Sequence, residues 1–290
     1  IDAHAHIFPP EMVRDRTSLL ERDPWFRVLY GSPVARMVTA EELVEAMDAG
    51  GVDLTVVFGF AFADQGLCRL MNDYVLDAVS AHAGRLAGLC CVSPDRPGAV
   101  AELERCLDAG MRGCGELAPD GQGWGDAFLP CLADGGAGAR PVGARAGMDA
   151  VAACLSERGL PLLVHSNEPV GHSYAGKGGF TPEGCLSLAA AYPDLTVVCA
   201  HMGGGLFLYE LMPEVRRTLS RVYYDTSAVP YLYRPDVYAV AVSCAGADKL
   251  LFGSDYPLLP AGRYRDGLAT LDDRARAAVS GENARGVYRL

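Results

Sequence analysis

Eight short runs of apolar residues recur along the chain, and each is nearly continuous rather than alternating with polar positions. They are IDAHAH (1–6), VDLTVVFG (52–59), RLAGLCCV (85–92), GMRGCGEL (110–117), LPLLVHS (160–166), LTVVCAH (195–201), RVYYDTSA (221–228) and KLLFGSDY (249–256). Parallel strands that are covered on both faces have this pattern, because neither face meets water. The pattern therefore predicts eight parallel strands.

Stretches with helical periodicity separate these runs, and several have clear ends. In TAEELVEAMDAGG (39–51), Thr39 and Glu42 have the spacing of a capping box, and the two final glycines predict a stop. In TPEGCLSLAAAYPD (181–194), Thr181 followed by a proline predicts a helix start. Further helices are predicted at 68–84, 98–110, 148–159, 207–219, 236–246 and 272–288.

This alternation of strands and helices predicts the architecture. Eight strands with roughly one helix after each indicate an α/β fold, a (β/α)8 TIM barrel built as one domain over residues 1–290. A doubly wound sheet is the rival, but it rarely needs so many regular units. Residues 8–38 interrupt the alternation after the first strand, and their aromatic side chains predict a lid or a subunit contact. Residues 134–147, rich in Gly, Ala and Arg, predict a flexible loop.

Composition narrows the class of protein. Half of the 290 residues are hydrophobic, which is enough for a large core, and the formal charge of −11 argues against a nucleic-acid partner. No apolar run reaches the roughly 18 residues that a membrane span needs. The ten cysteines include no C-x-x-C pair and several lie in apolar runs, which predicts a reduced, cytoplasmic protein rather than a disulfide framework.

The side chains that carry chemistry lie at the ends of the predicted strands, where the active site of such a barrel is built. They are His4 and His6 on the first strand, Glu116 on the fourth, His165 on the fifth, His201 on the sixth and Asp255 on the eighth. Alternate residues of a strand face the same way, so the first two imidazoles project together. Imidazole and carboxylate ligands predict one or two divalent ions, zinc first, with manganese or iron as alternatives.

A metal site of this kind suggests roles for two of the residues. A catalytic zinc keeps an open position and lowers the pKa of its water to about 7, which supplies hydroxide at neutral pH. Asp255 is placed to take the proton of that water and to hand it to a leaving group. His201, unless it binds a second ion, is placed to polarise a carbonyl group or to act as a general acid.

Five motifs in order along the chain carry a family resemblance. They are DAHAH (2–6), LVH (163–165), AHMGGG (200–205), FGSDYP (252–257) and GENA (281–284). With them the chain resembles the amidohydrolase superfamily, in particular the amidohydrolase-2 branch that includes aminocarboxymuconate-semialdehyde decarboxylase and resorcylate decarboxylase. The resemblance implies a distorted TIM barrel, a metal held by His4, His6, His165 and Asp255, and catalytic help from His201.

One position departs from the superfamily pattern. Many binuclear members bridge their metals with a carboxylated lysine on strand four or five, and neither predicted strand has a lysine here. Glu116 is placed to supply a carboxylate instead, as a third carboxylate ligand or as a bridge, and this favours a hydrolase. The alternative for Glu116 is an ordinary buried ion pair with an arginine.

The stretch GHSYAGKG (171–178), after the fifth strand, predicts substrate contacts. Its glycines and lysine have the spacing of a P-loop, but Gly178 stands where a magnesium-binding hydroxyl is needed. We therefore expect His172, Tyr174 and Lys177 to reach a small polar or anionic substrate.

The sequence thus favours a metal-dependent hydrolase that uses metal-bound hydroxide on an amide, lactone or ester. The alternative is a metal-dependent nonoxidative decarboxylase of a small unsaturated or aromatic acid, in which His201 manages the proton. A metal-binding scaffold without turnover ranks below both, because none of the expected ligands is missing. The aromatic insert is compatible with a homodimer.

Overall fold

A computed structural model describes residues 1–128 and 145–290. All eight predicted strands are present, each shorter than its apolar run. They are β1 (Asp2–His6), β2 (Thr55–Phe58), β3 (Leu86–Gly88), β4 (Cys114–Leu117), β5 (Leu162–Val164), β6 (Val197–Cys199), β7 (Val222–Asp225) and β8 (Leu250–Leu251). Nearly all of their side chains are buried, which agrees with the continuous apolar runs.

The strands pair in parallel and in chain order, as a barrel requires. Ladders join β1 to β3 and β4 to β8 as two sheets. Single parallel bridges close the two seams, Cys90 with Cys114 on one side and Ala5 with Tyr256 on the other. The result is an eight-stranded (β/α)8 barrel in which only one bridge pairs the strands at each seam. It confirms the predicted fold class.

Helices surround the barrel and cover its ends. The α-helices are α1 (Pro10–Arg14), α2 (Thr17–Arg22), α3 (Pro24–Tyr30), α4 (Ala40–Gly50), α5 (Gln65–Ala81), α6 (Ala99–Asp108), α7 (Pro119–Gln122), α8 (Ala146–Arg158), α9 (Pro182–Ala191), α10 (Pro213–Thr218), α11 (Val229–Leu232), α12 (Val237–Ala245), α13 (Arg265–Leu268), α14 (Asp273–Ala277) and α15 (Asn283–Tyr288). Short 3-10 segments span Gly125–Phe128, His201–Leu211, Ala247–Lys249 and Ala261–Tyr264, and a π segment spans Ala278–Glu282. None of the helices in the described parts of the chain has both the length and the hydropathy needed to cross a membrane.

The predicted helix ends are confirmed where capping residues defined them. Thr39 accepts a hydrogen bond from the backbone of Glu42, whose carboxylate accepts one from the backbone of Thr39, so α4 begins with a complete capping box. Gly51 ends that helix in the left-handed conformation, with φ at 69°. Thr181 precedes α9 as predicted, although its side chain makes no capping hydrogen bond.

Two predictions about irregular segments need correction or stay open. The stretch 207–219 was predicted as one helix, but Pro213 begins a separate helix there, because proline lacks an N–H and clashes within a helix. The predicted loop at 134–147 falls mainly on residues outside the described ranges. Its last two residues, Ala146 and Gly147, begin α8.

Helices α1 to α3 form the insert after β1. Phe26 stacks on Tyr30 with ring centroids 4.7 Å apart. Trp25 packs so closely on the β4 loop that a Cβ on Gly121 would lie 2.3 Å from its ring, so only glycine permits the contact. Leu29 packs in the same way against Gly176 of the β5 loop. The insert therefore reaches the loops at the carboxyl end of the barrel, where the lid was predicted.

The cysteines of the described residues are part of the hydrophobic core. All nine cysteines within residues 1–128 and 145–290 are buried and unbridged. Cys199 and Cys114, for example, are strand residues packed within the main hydrophobic core. They act there as small apolar side chains.

Candidate metal centre

Six of the predicted residues meet in one cluster at the carboxyl end of the barrel. They fall into two groups of potential ligands, the first being His4, His6 and Asp255 and the second Glu116, His165 and His201. The side chain of His4 is fully buried, and those of the other five are between 7 and 15 % exposed. Distant segments therefore converge on a single, nearly closed centre.

The spacing of the first group suits a metal ion. The Oδ1 atom of Asp255 lies 3.6 Å from Nε2 of His4 and 3.4 Å from Nε2 of His6. The Oε2 atom of Glu116 lies 3.6 Å from each of the same two nitrogens. A tetrahedral ion with bonds of about 2.1 Å holds its ligand atoms about 3.4 Å apart. The three residues and Glu116 thus have the spacing of such an ion's ligands.

Hydrogen bonds outside the cluster orient the imidazoles of β1. Nδ1 of His4 lies 2.8 Å from Oδ2 of Asp225, and Nδ1 of His6 lies 3.1 Å from the carbonyl oxygen of Gly59. Both partners only accept, so we assign the ring hydrogen to Nδ1 in each case. The lone pair of Nε2 then points into the cluster. Nε2 of His4 is buried and has no hydrogen-bond partner, which is costly unless an ion binds it.

The imidazoles of the second group follow the same rule. Nε2 of His165 faces Oδ1 of Asn167 at 3.2 Å and the carbonyl oxygen of Gly176 at 3.3 Å. Nδ1 of His201 faces Ser227, at 3.1 Å from the carbonyl oxygen and 2.9 Å from the hydroxyl oxygen. With these nitrogens as the donors, Nδ1 of His165 and Nε2 of His201 bring two lone pairs within 3.0 Å of each other. A cation between them relieves that repulsion.

Glu116 lies between the two groups and faces both. Its Oε1 atom is 3.0 Å from Nδ1 of His165 and 3.4 Å from Nε2 of His201, while Oε2 faces the imidazoles of β1. An ion pair with an arginine, the alternative for this residue, is absent from the described structure. The prediction that Glu116 belongs with the metal-binding residues therefore stands as our proposal.

The charges of the cluster also call for cations. Burial by itself raises the pKa of Glu116, but His4 and His165 outweigh it and hold that pKa well below its usual range. Burial likewise acts to raise the pKa of Asp255, but the neighbouring imidazoles, that of His6 first, outweigh it and lower the pKa to about 2. Both carboxylates are thus ionised. Buried anions need compensating positive charge, which a divalent ion supplies.

The pKa values of two imidazoles also show that the cluster favours positive charge. Burial acts to lower the pKa of His4, but Asp225, Glu116 and Asp255 outweigh it and raise the pKa to about 9. Burial also acts to lower the pKa of His201, and the same carboxylates, Glu116 first, raise it to about 10. The site therefore attracts positive charge, either protons on imidazoles or metal ions in their place.

Asp225 is a site residue that the sequence analysis did not single out. At the end of β7, it is fully buried and accepts a hydrogen bond from Nδ1 of His4. Its other oxygen accepts from the backbone N–H of His201 at 3.0 Å and from the hydroxyl of Ser227 at 2.5 Å. It therefore orients the imidazole of His4 directly and that of His201 through Ser227 and the backbone of His201 itself. The signal was available in part, because this aspartate lies within the predicted strand 221–228 and ends the observed strand β7.

Replacing Asp225 with asparagine is expected to lower metal affinity and kcat by about 10- to 100-fold, because partners of metal-bound histidines have effects of this size. An asparagine amide can present an N–H to Nδ1 of His4 and favour the wrong tautomer. The measurements are metal titration and steady-state kinetics. Asp236→Asn is the matched control, since Asp236 is exposed and pairs only with the exposed Arg234. Equal behaviour of the two variants would contradict the orienting role.

The AHMGGG motif forms the turn that presents His201. Residues 201–205 all have positive φ, between 57° and 97°. Gly204 lies against the β5 loop, where a Cβ would be 2.2 Å from the carbonyl oxygen of Asn167. Glycine is required at that position by both its left-handed backbone and its close approach. The turn brings the loops after β5 and β6 together beside the two imidazoles that they carry.

Two adjoining cavities open on the cluster. A cavity of about 160 Å³ is walled by the aromatic and proline side chains of Trp25, Tyr30, Phe60 and Pro257, with Arg36 in its lining. We call it the slot. A second cavity of about 400 Å³, which we call the large lobe, is lined by residues that include His172, Tyr174, Ala175, Tyr231 and Leu232.

Tyr30 and Arg36 bring polar groups to the slot from the insert. Burial raises the pKa of Tyr30, and the charges of Asp255 and Glu116 raise it further, so the phenol keeps its proton. Arg36 lies over the ring of Tyr256, 5.7 Å from its centroid, and makes no ion pair with any residue the structure describes. The slot thus combines flat apolar walls with a cation.

The structure treats the three predicted substrate-contact residues differently. His172 and Tyr174 line the large lobe. The amino group of Lys177 instead donates hydrogen bonds to the carbonyl oxygens of Val170 and His172, at 2.7 and 3.1 Å. Lys177 therefore holds its own loop together and lines neither cavity.

Comparisons with solved structures show the same fold over the full length of the chain. A 5-carboxyvanillate decarboxylase from Sphingomonas paucimobilis matches with a TM-score of 0.74 and 19 % identity, covering 100 % of this chain and 98 % of the other. A dihydroxybenzoic acid decarboxylase from a Polaromonas species, with bound manganese, matches with 0.68 and 19 %, covering 100 % and 97 %. A probable 2-pyrone-4,6-dicarboxylic acid hydrolase from Acinetobacter baumannii matches with 0.62 and 15 %, covering 100 % and 98 %.

The family follows from the sequence. No curated protein sequence matches the chain. The sequence model of the amidohydrolase family, Amidohydro_2, matches residues 1–290. Membership and the cluster of ligand atoms together support a divalent metal. The chain belongs to the amidohydrolase family and is an enzyme of the amidohydrolase superfamily.

Proposed function

We propose that the enzyme is a metal-dependent nonoxidative decarboxylase of a small aromatic or unsaturated carboxylic acid. The observation that carries the proposal is the slot, in which flat aromatic walls and Arg36 adjoin the cluster of metal-binding side chains. A planar acid can place its ring between Trp25, Tyr30 and Phe60. The similarity to decarboxylases of aromatic acids supports this choice over a hydrolase, which the sequence had favoured.

The proposed metal residues are His4, His6, Glu116, His165 and Asp255. A divalent ion bound there supplies a Lewis acid that holds and polarises the substrate's oxygen atoms. Zinc was the first expectation. Manganese suits the carboxylates and zinc the imidazoles, and a similar decarboxylase contains manganese. We therefore propose a divalent ion of either kind.

The residues of the chain account for the remaining chemistry. Arg36 is placed to pair with an anionic group of the substrate, and the aromatic walls exclude water from the ring. When the bond to the carboxyl carbon breaks, its electron pair returns to the substrate carbon and carbon dioxide leaves. His201, or Asp255 after it has first taken up a proton from solvent water, delivers one proton to that carbon, and both residues line the slot. The substrate carboxylate and one proton thus give the decarboxylated product and carbon dioxide.

Release of carbon dioxide tests the proposal. We expect manganese- or zinc-loaded protein to release one equivalent of carbon dioxide from at least one member of a panel of hydroxybenzoic and unsaturated carboxylic acids. Protein stripped of metal is the control and should release none, because it lacks the Lewis acid that the proposal requires. Turnover of lactones or esters with no carbon dioxide from any acid would contradict the proposal.

A hydrolase remains the second candidate, and Glu116 is the observation that favours it. A carboxylate that faces both groups of ligands is placed to bridge two ions, and pairs of ions activate water for hydrolysis. In that case Asp255 takes the proton of the attacking water. The same panel decides between the two functions when amides, lactones and esters are added to it.

A further inference from the structure

The slot and the large lobe form one cavity with two arms. Their linings share Leu29, His165, His201, Asp255 and Leu258. The shared histidines and aspartate belong to the metal cluster, so the cluster lies where the two arms meet. A substrate that reacts there can extend into both.

The two arms differ in size and charge. The slot has the smaller volume, about 160 Å³, and contains Arg36. The large lobe has about 400 Å³, and its lining outside the metal cluster carries no arginine or lysine. Lys177 lies behind this lining, with its amino group 5.6 Å from the centroid of the Tyr174 ring. That group does not line the large lobe and is held by two backbone carbonyl oxygens. An anionic group of a substrate therefore meets a positive side chain in the slot, whereas in the large lobe it loses water without gaining one.

The walls of the large lobe suit an uncharged ring. The rings of His172 and Tyr174 are neighbours in this wall, with centroids 5.6 Å apart and planes tilted by 57°. The hydroxyl of Tyr174 donates to Oε2 of Glu168 at 2.8 Å, which fixes that ring in the wall. Tyr231 and Leu232, on α11, add an aromatic and an aliphatic side chain. Aromatic side chains bind rings by stacking and by burying apolar surface.

We propose that the substrate has two parts: an anionic ring that fills the slot, and a neutral, ring-sized substituent that fills the large lobe. The inference rests on the proposed function and deepens it, because it narrows the substrate from a small aromatic acid to an aromatic acid with a second, uncharged ring or a group of equal bulk. Leu232 and Tyr231 then determine specificity for that second group.

Binding of three probe acids to manganese-loaded protein tests the inference by calorimetry, without any need for turnover. The probes are benzoate, biphenyl-3-carboxylate and biphenyl-3,4′-dicarboxylate. We expect the two-ring monoacid to bind about tenfold or more tighter than benzoate, because it buries a second ring. The diacid should lose most of that gain, since its second carboxylate meets no cation in the large lobe.

Variants show where the second ring binds. Leu232→Trp fills the large lobe and should abolish the preference for the two-ring acid while leaving benzoate binding within about twofold, because benzoate occupies the slot. Tyr231→Ala should weaken the two-ring acid alone. Leu211→Trp is the matched control, since Leu211 is 67 % exposed and lines neither cavity, and it should change nothing.

The outcomes separate this inference from the proposed function. Equal binding of benzoate and biphenyl-3-carboxylate, or equal weakening of both by Leu232→Trp, would overturn the two-part substrate while a carbon dioxide assay could still succeed. Tighter binding of the diacid would overturn the neutral character of the large lobe. Failure of all three acids to bind would overturn the inference together with the class of substrate on which it rests.

Discussion

Replacing Glu116 with glutamine is expected to lower bound metal to less than half of the wild-type content after dialysis and to reduce kcat/KM by about a thousandfold or more. The substitution keeps the shape of the side chain but removes the negative charge that faces the imidazoles of both groups. The amide N–H of the glutamine can also donate to an imidazole lone pair and so occupy a position that a metal ion needs. Breaking a buried charge network of this kind costs several kcal/mol, which is about three factors of ten.

Metal analysis per chain and steady-state kinetics are the measurements for Glu116→Gln. Glu157→Gln is the matched control, because Glu157 is exposed on α8 and lines neither arm of the cavity. If the Glu116 variant keeps wild-type metal content and activity, Glu116 does not bind metal and its role is only structural. Loss of about one ion out of two would favour the bridged, hydrolase-like centre over a single-ion decarboxylase.

Replacing Asp255 with asparagine should have an effect of the same order, with kcat reduced by about 100- to 10,000-fold, the usual range for a general acid or base. Asp255 faces both imidazoles of β1 and lines both arms of the cavity. It is ionised, so it can accept a proton, whereas asparagine can neither accept nor deliver one. A decarboxylase in which no group takes up a proton and passes it to the substrate carbon cannot complete the product.

The readouts for Asp255→Asn are kcat with the best acid of the panel and metal content. Asp266→Asn, an exposed aspartate on α13, is the matched control. If the variant retains metal and loses kcat, Asp255 acts in proton transfer. If it loses both, ligation is its main role. Unchanged kcat would exclude Asp255 from the chemistry and leave His201 as the proton donor.

The barrel could be predicted because each of its strands and helices leaves a pattern in a short stretch of sequence. Buried parallel strands leave continuous apolar runs, and the capping box of Thr39 and Glu42 defines a helix start within four residues. Local patterns were misleading at Pro213. The apolar periodicity continues past this residue and suggested one helix, but a 3-10 segment ends before it and a separate helix begins at it. The strand runs also proved longer than the strands, because periodicity does not mark where a ladder ends.

One rule predicted most of the site, namely that the functional side chains of a barrel lie at the carboxyl ends of its strands. That rule found the histidines, Glu116 and Asp255, and the same rule applied to β7 would have found Asp225. It could not foresee Lys177, whose spacing suggested an anion contact, because only the folded loop reveals that two carbonyl oxygens hold its amino group. It also could not assign Arg36, which reaches the slot from an irregular insert.

By itself the sequence determined the strands, the helices, the family and the set of residue types available to bind a metal, since these depend on local patterns and motif order. Only the tertiary structure decided how they combine. It placed Glu116 between two groups of ligands, turned four imidazole lone pairs inward through partners such as Asp225 and Ser227, and divided the cavity into two unlike arms. Distances between residues far apart in the chain set these features, and no local pattern encodes them.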